Sequence, residues 1–169
     1  PKMATAQAGA IRDALSKADP AHAEAFDAAY KALAADLEAL DTAYRGAMGG
    51  YNQEVMATSH PAFNYLGRRY GLHLINFGFE PDAAPAETKL QRLKDTIAEE
   101  QITVLLWEAQ PTAEVQAPVD ALDVMSVFLD PLEQPGEDGA YDYLTQSRQN
   151  VAVLQGLFGG EVEPAGDAS

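Results

Sequence analysis

The sequence predicts an α/β fold: a four-stranded parallel sheet flanked by helices and preceded by a long spine helix. Three observations carry that expectation. From Glu54 onward, short apolar runs alternate with segments of helical periodicity, the mark of βαβ units. Before Glu54, a single apolar stripe runs from Phe26 to Met48 at alternating spacings of four and three. Two of the apolar runs end in His60-Pro61 and Asp130-Pro131. A proline there cannot continue a sheet and turns the chain out at the strand's carboxyl edge, where open α/β sheets bind ligands.

Residues 2–18 place Ala4, Ala8, Ile11 and Leu15 on one face and form a short amphipathic helix. Asp19 as N-cap and Pro20 at the first helical position then open the spine, expected over 20–47 and stopped by Gly49-Gly50. The alternation that follows predicts strands at 54–58, 72–78, 102–107 and 124–129 and helices at 61–70, 86–100, 112–122 and 139–158. Runs rich in Val and Phe read as buried parallel strands. The expected organisation is a helical part over 1–50, an α/β lobe over 51–158 and a disordered tail over 159–169, which lacks periodicity.

The formal net charge of -15 argues against nucleic acid or an anionic membrane surface and is compatible with cations, although excess acid is also a common means of staying soluble. The absence of cysteine excludes thiolate zinc sites, disulfides and cysteine nucleophiles. No apolar run approaches the roughly 18 residues of a membrane span. The opening Pro1-Lys2-Met3 runs straight into a helical pattern, which suggests a cut within a longer polypeptide.

Each strand brings an acidic or imidazole side chain to the same rim: His60, then Glu80, Glu108 and Asp130. Imidazole nitrogen with carboxylate oxygen suits zinc, manganese or ferrous iron. His60 and Asp130 are the metal-ligand candidates. Because Asp and Glu are common helix N-caps and often close βα loops, Glu80 and Glu108 read as caps or solvated side chains. His22 and His73 read as surface residues; Tyr65, Arg68, Arg69 and Tyr70, on the helix after His60, could hydrogen-bond a carboxylate of the site, although ordinary polarity near a helix C-terminus accounts for both arginines. No Walker loop, Gly-x-Gly-x-x-Gly or Gly-x-Ser-x-Gly is present.

The segments Thr58-Ser-His-Pro-Ala-Phe-Asn-Tyr-Leu-Gly-Arg-Arg-Tyr-Gly71, Leu106-Trp-Glu108, Leu129-Asp-Pro-Leu132 and Asp142-Tyr-Leu-Thr-Gln-Ser-Arg-Gln-Asn150, behind a spine introduced by Asp19-Pro20, resemble one family in order and spacing. It is the ZnuA-like group of zinc and manganese substrate-binding proteins of bacterial ABC importers. The resemblance implies two α/β lobes joined by the spine helix, with the metal between them. It makes His60 a metal ligand, a histidine in zinc-type members, and Asp130 a ligand or close partner. Two further histidines would come from an N-terminal lobe upstream of this chain. The resemblance thus implies periplasmic zinc capture, with manganese second, and delivery to an ABC permease of the inner membrane, without catalysis. Two other classes are weighed against it: a metal-dependent hydrolase using His60 and Asp130 as ligands and Glu108 as base, and a receiver-like domain phosphorylated on Asp130. The second lacks the expected acidic pair and lysine.

Overall fold

The computed structural model describes residues 1–133 and 142–159. Its elements are α1 (Lys2–Ala18), α2 (Ala23–Ala47), β1 (Val55–Thr58), α3 (Asn64–Tyr70), β2 (His73–Asn76), α4 (Glu87–Glu100), β3 (Val104–Trp107), α5 (Ala113–Asp120), β4 (Met125–Phe128) and α6 (Tyr143–Phe158), with 3-10 turns at Pro20–His22 and Pro61–Phe63. The chain separates into two compact units, one containing α1, α2 and α6 and one carrying the sheet with α3, α4 and α5.

The sheet is four-stranded and parallel throughout, in the order β2-β1-β3-β4. Val55 to Thr58 lie opposite His73 to Asn76, and Val104 to Trp107 opposite Met125 to Phe128. From β1 the chain moves to one edge and from β3 to the other, so the topological switch point lies between β1 and β3. Residues following these two strands therefore face the usual ligand crevice.

β3 is buried along its whole length, as a central strand of a parallel sheet should be. Its Leu105 and Trp107 join Ala57, Phe77, Phe79 and Leu93 in the core. The Phe77 and Phe79 rings stack at 5.8 Å and the Phe79 and Trp107 rings at 6.0 Å, forming an aromatic row beneath the rim. The expectation that 124–129 is buried needs correction: Met125 and Phe128 are 57% and 43% exposed. Among the described residues β4 pairs only with β3, so it is an edge strand.

α3 is held against β2 at Gly67, where a Cβ would come within 3.0 Å of Leu74 Cδ1 and 3.2 Å of the Leu72 carbonyl. It ends at Gly71, left-handed at φ 79°, whose N–H and that of Leu72 both reach the Gly67 carbonyl.

In the helical unit, α2 starts at Ala23 and not at Pro20. Residues 20–22 wind as a tighter 3-10 turn, and the Asp19 carboxylate turns to His22 Nδ1 at 2.7 Å in place of capping backbone N–H groups. The remaining 25 residues are one continuous helix of roughly 37 Å. Leu37, Leu40 and Tyr44 of its apolar stripe are buried, whereas Leu33 is 39% exposed. α1 and α6 pack on α2. Arg12 joins the first two helices, bonding Asp27 at 3.1 Å with its guanidinium 4.5 Å from the centre of the Tyr30 ring. The hydrogen bond from Lys31, and Arg12 beside it, hold the Asp27 carboxyl below the ordinary range.

Asp142 caps α6, accepting the N–H groups of Leu144 and Thr145 at 3.0 and 3.2 Å and the Thr145 hydroxyl at 2.6 Å. Residues 139–141, expected as its first turn, and 160–169, expected as tail, lie outside the described residues. The sequence grouped this helix with the α/β lobe; here it packs on α2.

Candidate metal centre

The site is assembled by backbone pairing that continues past the formal ends of the strands. Ser59, the residue after β1, is fully buried and donates its N–H to the Leu106 carbonyl at 2.9 Å, which extends the β1–β3 ladder. On the other side, the N–H groups of Phe77 and Phe79 reach the carbonyls of Thr58 and Ser59, both at 3.0 Å. Between them Gly78 takes φ 64°, a left-handed bend suited to glycine, and its N–H is accepted by Asn76 Oδ1 at 2.9 Å. From α4, Arg92 donates to the Asn76 carbonyl at 3.1 Å and Lys89 to that of Gly78. Thr112 N–H bonds the Pro81 carbonyl at 2.9 Å and ties the loop after β3 to the loop after β2.

The consequence is that His60 sits between two glutamates. Its Nδ1 is hydrogen-bonded to Glu108 Oε1, and its Nε2 lies 3.3 Å from Glu80 Oε1. The imidazole and Glu108 side chains are 26% and 24% exposed, whereas Glu80 is 56% exposed at the mouth. Ser59 Oγ accepts the Glu108 N–H at 3.3 Å, fixing the backbone from which that carboxylate projects. Carboxylates at both ring nitrogens give the rim a negative potential that favours a cation.

The expected cap role of these glutamates does not hold. Ala86 occupies the N-cap of α4 and Thr112 that of α5. Asp130 falls after β4, one strand further from β1, and its Oδ1 accepts the Leu132 N–H at 2.7 Å. That bond closes a tight turn with Leu132 at φ 64°. Among the described residues, no three His, Asp or Glu side chains converge into a ready-made ion site.

His73 is the exposed first residue of β2, at the opposite edge of the sheet. His22 is exposed and tilts against Phe26 at 6.4 Å. Tyr65 is 74% exposed, and Arg68 and Arg69 occupy the last turn of α3, with the Arg69 guanidinium 5.6 Å from the Tyr70 ring.

The family described as zinc-uptake complex component A, periplasmic (ZnuA), matches residues 1–156. The chain belongs to that family. The fold agrees: the Zn(II)-bound ZnuA-like domain of Streptococcus pneumoniae AdcA superposes with a TM-score of 0.77 at 28% identity, covering 88% of this chain and 57% of that one. The metal-dependent lipoprotein YcdH of Bacillus subtilis gives 0.78 at 26% identity, covering 86% of this chain and 57% of that one. Among curated relatives, a zinc-binding protein AdcA of Streptococcus pyogenes serotype M6 is 31% identical over 167 residues, 94% of this chain and 32% of its own length. The chain thus spans about a third of the length of the curated relatives it matches. Among the described residues, no helix is long and apolar enough to cross a membrane.

Proposed function

We propose that this ZnuA-family chain takes part in high-affinity zinc capture outside the cytoplasm, in the periplasm or its equivalent, and in delivery of the ion to an ABC permease. The ion is cargo and no bond is made or broken. The observation that carries this reading is His60 at the switch point, its Nδ1 bonded to Glu108 and its Nε2 directed to the rim. A carboxylate on the far nitrogen sets the tautomer and ring orientation of a metal-binding histidine and raises its basicity.

His60 and Asp130 are the proposed ligands from this chain. An imidazole with carboxylate, in a chain without thiolate, suits zinc ahead of manganese. The remaining ligands of the tetrahedral shell come, in this reading, from an N-terminal lobe of the parent polypeptide. The support for that is the 57% coverage of the ZnuA-like domain of AdcA and the lack of any converged trio among the described residues. The hydrolase alternative needs Glu108 as a free base on a metal-bound water. Here that carboxylate is engaged by His60, which favours binding over turnover.

Competition dialysis of the parent against zinc and manganese tests the reading. Zinc retention that depends on His60 supports it; retention indifferent to His60 removes the rim as the site.

A further inference from the structure

We draw no further inference here: the strongest candidate, the exposed apolar groove that Ile11 and Leu15 of α1 line together with Leu33 of α2, carries none because nothing in the structure shows what covers it.

Discussion

The Ser59 hydroxyl accepts the backbone N–H of Glu108 at 3.3 Å, and the same serine's N–H is spent on Leu106 and its carbonyl on Phe79. One buried residue between β1 and the His60 turn thus fixes the strand extensions that deliver Glu80 and Glu108. Ser59→Ala should lower unfolding stability by about 1 kcal/mol, the usual worth of such a bond, and loosen Glu108. Urea unfolding checks the first part, and a few-fold loss of zinc affinity with intact secondary structure checks the second.

Gly67→Ala should be costlier. The new methyl meets Leu74 Cδ1 at 3.0 Å and the Leu72 carbonyl at 3.2 Å, and backbone cannot step aside as a side-chain tip can. Overpacking of this kind costs about 1–3 kcal/mol, and it displaces the helix that follows His60. A lowered urea midpoint with an unchanged slope is the expected outcome.

Much of this fold was legible in the residues because each strand is a run of apolar side chains closed by a turn signal. Val104-Leu-Leu-Trp107 is all buried, and Gly71 marks the end of α3 as its left-handed φ requires. What the residues could not show was strand order. His60, Glu80, Glu108 and Asp130 each end a strand, and nothing local says which strands are neighbours. Because β1 lies between β2 and β3, the glutamates of those strands reach His60, while Asp130 belongs to a strand one place further on. The cap reading of the glutamates failed because α4 and α5 begin several residues later, at Glu87 and Ala113, close to where the helical periodicity places them. The edge position of β4, and with it the exposure of Phe128, depends on the same order.

Selectivity should follow the imidazole. Nitrogen ligands favour zinc over manganese, so His60→Glu should narrow the preference by weakening zinc more than manganese. Parallel titrations with the two ions check it; unchanged selectivity would place His60 outside the coordination shell.

Acid should loosen the helical unit through two aspartates. Asp142 is held below the ordinary carboxyl range by the Thr145 hydroxyl, then by the Thr145 and Leu144 N–H groups, and Asp27 by Lys31 and then Arg12. A folded-state pKa beneath the unfolded one means that the native state binds fewer protons. The stability these groups supply is present above the unfolded value and is lost as pH falls through the folded one. The loss should therefore begin below about pH 4, the ordinary aspartate range. Asp142→Asn should flatten that part of the stability profile, as followed by the helical circular dichroism signal between neutral and acid pH.

The most direct measurement is calorimetric titration of zinc into this chain and its His60→Ala variant near neutral pH. With the ligands of this rim alone, the expected binding energy is about 4–8 kcal/mol, a Kd between about 1 mM and 1 μM, abolished in the variant without change in thermal unfolding. Nanomolar binding by the monomeric chain, or binding that ignores the loss of His60, would contradict the assignment of this rim as the zinc site.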